Sequence, residues 1–161
     1  MSEKDYYEPI KKRFEDLFNT KRETHLEITA NENFSNMLKE QIPDSRHIIF
    51  YFLKEVAPDL SGFVRRDYGT EFIVIEVKDE VLKLDHIYQT RKYAELFDAR
   101  FAFLVSTQEI PEEIKKLSKI IYSLLSLPAY KKLILVQFDK NTNRFVDWFE
   151  ENPFENEHYW R

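Results

Sequence analysis

The stretch Ala57 to Lys78, APDLSGFVRRDYGTEFIVIEVK, decides how this chain is read. Phe72 to Lys78 is apolar and β-branched, which predicts a strand. Alternate residues of a strand share a face, so Glu76 and Lys78 project together while Ile75 and Val77 point into a core. Leu60 to Val64 predicts a shorter strand, and a turn through Asp67, Tyr68 and Gly69 lays the two together as a hairpin. That pairing carries Asp59 toward Glu76. Two carboxylates converging beside one lysine repel each other, and a divalent cation is the usual means of neutralising them. An E-x-K triplet is common by chance, and a charge where a strand leaves a sheet is usually solvated. The Pro58-Asp59 pair and the strand-turn-strand spacing are what make this triplet a candidate site.

The chain's only two glycines, Gly62 and Gly69, both fall in this stretch. Gly69 suits a turn; Gly62 inside a strand marks a bulge, a close backbone approach or simple packing. The 161 residues suit one domain, residues 1–161, with a core large enough for 43% hydrophobic and 33% charged residues. No apolar run approaches the ~20 residues needed to span a bilayer, and the start MSEKDYYEPIKKRFEDLF is charged, so a cytoplasmic protein without membrane attachment is expected. With no cysteine, any metal must be held by oxygen or histidine, which suits a hard cation such as Mg2+ or Mn2+.

The net charge of −5 argues against a protein that grips nucleic acid chiefly through a positive surface. Lys11-Lys12-Arg13, Lys115-Lys116 and Lys131-Lys132 read as solvated surface. Arg65-Arg66 lies beside the proposed site and is the basic cluster of interest.

Outward from the hairpin, helical spacing predicts a helix over 7–18, packed through Ile10, Phe14, Leu17 and Phe18. A short strand over 24–30 follows, then a helix capped by Asn31 or Asn33 and running to about Gln41, where Pro43 stops it. His47 to Val56, apolar on both faces, reads as a central strand. After Lys78 a helix over 84–99 carries Gln89 and Tyr93 on one face, with Asp85 and His86 a turn earlier. FAFLVS, Phe101 to Ser106, is a buried strand, so the helix before it makes a β-α-β crossover between parallel strands. Glu109 to Leu127 predicts an amphipathic helix with Ile114, Leu117, Ile120, Ile121, Leu124 and Leu125 on the sheet. Strands over 132–139 and 144–149 come next, and the tail EENPFENEHYWR reads as an inert, partly ordered terminus, with packing on the domain or contact with another subunit as the alternatives.

Pro58-Asp59, Glu76-x-Lys78 closing VIEVK, Gln89-x-x-x-Tyr93 on the next helix and the strand FAFLVS together resemble the PD-(D/E)XK nuclease superfamily. The RecB-type nucleases and the N-terminal nuclease domain of type I restriction motor subunits, which share the Gln-x-x-x-Tyr feature, are the nearest versions. The resemblance covers roughly residues 46–106. It implies an α/β fold of the restriction-endonuclease kind: a mixed central sheet flanked by helices, with an α-β-β-β-α-β core placed here at about 31–106. The helix and strands over 109–149 would be scaffolding, followed by the acidic aromatic tail 150–161.

What the resemblance implies is a metal-dependent nuclease acting on DNA. Asp59 and Glu76 would hold Mg2+ or Mn2+ with the Val77 carbonyl, and Lys78 would be the catalytic lysine. Gln89 and Tyr93 would position the site and the substrate backbone. A further acidic ligand often comes from the helix before the first core strand; of Glu27, Glu32 and Glu40, Glu32 is preferred here. Asp79 and Glu80 depart from the expectation by adding negative charge beside the lysine. Duplex-cutting members commonly act as dimers or in larger complexes, so a homodimer or a partner is expected. Some members keep the fold without cleaving, which makes a silent module that binds nucleic acid or protein the alternative.

Overall fold

The computed structural model describes residues 2–161. A 3-10 turn (Glu3–Tyr6) leads into α1 (Tyr7–Asn19), then β1 (Thr24–Ile28), α2 (Asn36–Gln41), the single turn α3 (Ile49–Phe52), β2 (Leu60–Arg66) and β3 (Gly69–Lys78). There follow α4 (Leu84–Phe97), β4 (Phe101–Ser106), α5 (Glu112–Ile120), β5 (Ser126–Leu127), β6 (Lys131–Asp139), β7 (Arg144–Trp148) and two short 3-10 turns. The strands form one seven-stranded mixed sheet in the order β1-β2-β3-β4-β6-β5, with β7 also on β6. β1, β2 and β3 are antiparallel neighbours, while β3, β4 and β6 run parallel. The chain is therefore mixed α/β, with helices on both faces of the sheet.

The period of two along β3 splits the core. Ile73, Ile75 and Val77 face α1 and the C-terminal tail, together with Phe101, Phe103 and Val105 of β4. Val74, Ala102 and Leu104 face α4 and the α2–α3 region. α1 buries Ile10, Phe14 and Phe18, four residues apart and so on one stripe of the helix. Phe14 meets Phe103 at 4.6 Å.

The two glycines differ in role. A Cβ on Gly62 would stand 1.9 Å from the His25 carbonyl oxygen of β1, so only glycine lets β1 and β2 approach here. Gly69, at φ +144°, closes the two-residue loop between β2 and β3 in backbone that other residues rarely adopt.

Four expectations are corrected. The segment 47–56 is not a central strand: Ile49 and Leu53 are buried while Ile48, Tyr51 and Phe52 are exposed, a period of about four that suits one helical turn, and the sheet's first strand is β1. α2 is capped by Ser35, whose Oγ accepts from the Leu38 N–H at 3.1 Å, while Asn31 closes a turn onto Asn33. α5 ends at Ile120, and Ile120 and Ile121 are exposed. Leu124 and Leu125 reach the core from a loop whose carbonyls are taken up by Arg91. The tail is not inert. Phe154, Tyr159 and Trp160 are buried, Trp160 stacks on Phe101 at 5.2 Å, and together they cover the part of the sheet that α1 leaves open.

Candidate functional site

The site lies where β2 begins and β3 ends. The ladder pairs Leu60 with Ile75, so one step further Asp59 stands opposite Glu76 and Pro58 opposite Val77. Thr29, fully buried just past β1, holds that kink: its N–H donates to the Asp59 carbonyl (2.9 Å) and its Oγ1 to the Pro58 carbonyl (2.6 Å). Asp59 then turns back along the strand end. Its Oδ2 accepts from the Val77 N–H at 2.7 Å, and its own N–H donates to Glu76 Oε1 at 3.0 Å. The expected approach of Asp59 to Glu76 is present as a reciprocal pair of backbone-to-carboxylate bonds.

The N–H and C=O of one strand residue point the same way, so the Val77 carbonyl faces Pro58, which has no N–H to offer it. Proline thus opens the ladder at the carboxylates and leaves a backbone oxygen directed to the same place.

Charge here is buried and poorly balanced. Asp59 is 7% exposed and Glu76 3%, and the nearest cation, Lys78 Nζ, is 3.8 Å from Glu76 Oε2. Burial is the main reason both carboxyls are pushed above the usual carboxylate range; for Glu76 the charge of Asp59 adds to it, and Lys78 offsets only part.

Two residues that sequence reasoning missed complete the cluster. The buried Tyr7 hydroxyl lies 2.9 Å from Asp59 Oδ1 and 3.1 Å from Glu3 Oε2, which brings a third carboxylate to the edge of the site. Burial first, then Asp59, raises the Tyr7 hydroxyl well above its ordinary pKa. No spacing rule links residue 7 to residue 59; only the fold does.

On α4, Gln89 Nε2 lies 3.3 Å from the hydroxyl of the buried Tyr93, whose pKa is raised by burial and then by the charge of Glu76. Glu32 sits in the turn after β1, at φ 64°, rather than at a helix start. Its charge is felt at Tyr93, but among the described residues no hydrogen bond or ion pair joins it to Asp59 or Glu76. Glu27 is bound by His25 and Ser35, and Glu40 is exposed on α2.

The acids after Lys78 are occupied elsewhere. Asp79 accepts from Thr107 Oγ1 at 2.5 Å and pairs with Lys140 at 3.7 Å. Glu80 lies 3.1 Å from His86 Nε2 and 3.5 Å from Lys83. His86 Nδ1 accepts the Lys83 N–H, which leaves Nε2 facing Glu80, and burial, with Lys78 beside it, lowers the pKa of the ring. Arg66 is not a substrate contact: its side chain is buried against Glu71 and Trp160.

Among the described residues no three His, Cys, Asp or Glu side chains form a ready-made metal-binding group. The oxygens that converge are the carboxylates of Asp59 and Glu76 and the Val77 carbonyl. Each Asp59 oxygen keeps a lone pair beyond its present hydrogen bond. This all-oxygen, electron-rich set fits a hard divalent cation completed by water. A cleft of about 690 Å³ opens one strand over, between Val81, Gln108 and α5, but its Lys115 is already paired with Glu112 and Asp147, and no buried charge lines it.

Comparison with protein-family models, curated proteins and solved structures returns no match. No described helix is long and apolar enough to cross a membrane.

Proposed function

We propose that this protein is a metal-dependent nuclease of the PD-(D/E)XK kind, hydrolysing phosphodiester bonds in DNA. The observation that carries this reading is the buried Asp59–Glu76 pair beside Lys78 at the open end of a hairpin. A fold gains no stability from two uncompensated acids at 7% and 3% exposure, so their presence points to a ligand that supplies positive charge. The order α1-β1-β2-β3-α4-β4 supports it: it is an α-β-β-β-α-β order, but its first helix and strand are α1 and β1, ahead of the 31–106 at which the sequence placed the core, with α2 and α3 inserted after the first strand.

Asp59, Glu76 and the Val77 carbonyl would hold Mg2+ or Mn2+. When bound, such a cation lowers the pKa of water and withdraws charge from phosphate oxygens. Lys78 is the least buried of the three charged groups. It places an ammonium at the mouth of the site, where it orients an attacking water and stabilises charge on the phosphate without losing its proton. Tyr7 fixes the rotamer of Asp59, and Tyr93 with Gln89 offers polar groups from α4 to the substrate backbone.

The test is cleavage of single-stranded and duplex DNA and RNA with and without Mg2+ or Mn2+. Activity that needs the metal and is absent in Lys78→Ala supports the reading; no metal-dependent cleavage of any form refutes it. A non-cleaving binding module is the second reading. It is favoured by one observation: both Asp59 oxygens are already hydrogen-bonded within the protein.

A further inference from the structure

A strand at the rim of a sheet presents a row of unpaired N–H and C=O groups, and soluble proteins usually shorten, bulge or cover such rims. The two rims of this sheet differ. On one side β5 is two residues long, and β7 joins β6 with a register shift at Gln137/Phe138. On the other, β1 pairs with β2 in unbroken register from Thr24 to Ile28 and contains no proline.

The inner bonds of β1 decide which of its groups face outward. The Glu23 carbonyl accepts from the Arg65 N–H at 3.0 Å, and the Thr29 N–H donates to the Asp59 carbonyl at 2.9 Å, so residues 23, 25, 27 and 29 turn their backbone groups toward β2. Thr24, Leu26 and Ile28 therefore turn theirs away from the sheet. The Thr24 N–H is taken up by Asn19 Oδ1 at 3.2 Å. Among the described residues nothing hydrogen-bonds to the Thr24 carbonyl or to the N–H and C=O of Leu26 and Ile28. The segments flanking β1 leave for opposite faces instead of running along the rim. Arg22, before it, donates to the Trp160 carbonyl on the face of α1; after it, Ser35 sits on Glu27 and Phe34 packs on Phe97, on the face of α4.

We propose that this rim pairs with β1 of a second copy of the chain, antiparallel and two-fold about Leu26, joining the two seven-stranded sheets into one. A second copy suits the rim better than a foreign strand because β1 is complementary to itself in that one register. With Leu26 opposite Leu26, the two leucines exchange a pair of backbone bonds, and each Ile28 N–H meets the Thr24 carbonyl of the other copy, four bonds in all. His25 and Glu27 lie together on the α4 face, with His25 Nε2 2.7 Å from Glu27 Oε1 and its ring 5.3 Å from Phe63. In the paired rim each His25 stands directly opposite Glu27 of the other copy, at the non-hydrogen-bonded positions where side chains come closest. A slide of two residues in either direction sets His25 against His25 or Glu27 against Glu27, and like groups directly opposite are unfavourable. This inference does not rest on the nuclease reading. Asp59 lies at the Ile28 end of β1, so the antiparallel pairing puts the two Asp59–Glu76 sites at opposite ends of the joined sheet, and neither needs the other.

A five-residue strand pair is a small interface, so sedimentation of the full chain over about 1 to 300 μM should show it pass from the monomer to twice the monomer mass. Ile28→Pro removes one outward donor from each copy and keeps every inner bond of β1, so it should weaken association about tenfold or more, with the fold checked by circular dichroism. Register is read with cysteine, of which the chain has none. An equimolar mixture of His25→Cys and Glu27→Cys chains should form disulfide-linked dimers on air oxidation, while either alone should link no more than Lys12→Cys on α1. A mixture of Thr24→Cys and Ile28→Cys chains reads the same register should Glu27→Cys, without its bonds to Ser35, fail to fold. Four results would overturn the proposal: a monomer at every concentration, a dimer that a folded Ile28→Pro leaves intact, no linked dimer in either mixture, or linkage among His25→Cys or Glu27→Cys chains alone above the Lys12→Cys level.

Discussion

The β2–β3 hairpin buries charge at both of its ends, in opposite ways. At the turn, Arg66 is enclosed with its opposite: Glu71 Oε1 accepts from Arg66 Nε at 2.6 Å, Arg100 approaches Glu71 at 3.9 Å, and Arg66 also donates to the Tyr159 carbonyl and stacks on Trp160. At the open end, Asp59 and Glu76 are enclosed with each other, and among the described residues Lys78 is the one cation paired with either. The first arrangement balances its charge within the protein, with only Arg66 Nη1 left buried without a hydrogen bond, and ties the C-terminal tail to the sheet. The second is complete only with a proton or a cation added. Burial alone does not mark a functional charge; burial without a matching partner does.

The comparison can be broken first at the open end. Asp59→Ala and Glu76→Ala should each reduce metal-dependent cleavage by about a thousandfold or more, and the double variant should lose little beyond either single one, because the pair acts as a unit. Rates measured under single turnover with the fold checked by circular dichroism decide this. At the turn end the effect should fall on stability instead. Arg66→Ala leaves Glu71 enclosed without its main partner, costing about 3–5 kcal/mol and roughly 10 °C in melting temperature, while any cleavage by the remaining folded protein is kept. Loss of activity without loss of stability in Arg66→Ala would erase the distinction.

A pH titration sharpens it further. Asp59 and Glu76 are held above the usual carboxylate range, so the folded protein keeps protons that the unfolded chain releases. That contribution is present at low pH and is lost as pH rises, between roughly pH 5 and pH 8. The groups facing the pair are Glu3 and Tyr7 from the N-terminal segment, Lys78 on β3 and Tyr93 on α4. In metal-free buffer, denaturant unfolding should show stability falling by about 2–3 kcal/mol across that interval, and Glu76→Gln should flatten the fall. A wild-type profile that rises over the same interval would contradict the burial of an unbalanced pair. The smallest effect is expected on α4: Gln89→Ala and Tyr93→Phe should lower cleavage about tenfold, roughly 1.4 kcal/mol, without changing metal affinity.

The hairpin and its carboxylates were legible in the sequence because strand alternation and turn residues are local signals. Phe101 to Ser106 was legible for the same reason, and the structure begins and ends β4 at those residues. What escaped notice depended on distant partners. Tyr7 looks like any aromatic on an amphipathic helix until the fold brings its hydroxyl to Asp59. The segment 47–56 is apolar enough for a strand, yet it packs through Ile49, Leu53 and the half-buried Phe50, because β1 already fills the place beside β2. Arg65-Arg66 stood out as the basic cluster of interest, whereas the tail, read as inert, supplies Trp160 to cover Arg66. Tertiary packing settled each of these cases, and a window of ten residues does not contain it.

The most direct test of the central claim, that Asp59 and Glu76 form a cation site, is the melting temperature with and without Mn2+. A cation that binds only the folded form stabilises it by mass action, about 2.7 kcal/mol at 100 times the dissociation constant. For a domain of this size that is a rise of roughly 5 to 10 °C. Asp59→Ala should abolish the rise; in the metal-free protein the repulsion it relieves is set against the hydrogen bonds from the Val77 N–H and the Tyr7 hydroxyl that are lost with the carboxylate. A wild-type protein whose melting temperature ignores Mn2+, or an Asp59→Ala protein that keeps the full rise, would contradict the account.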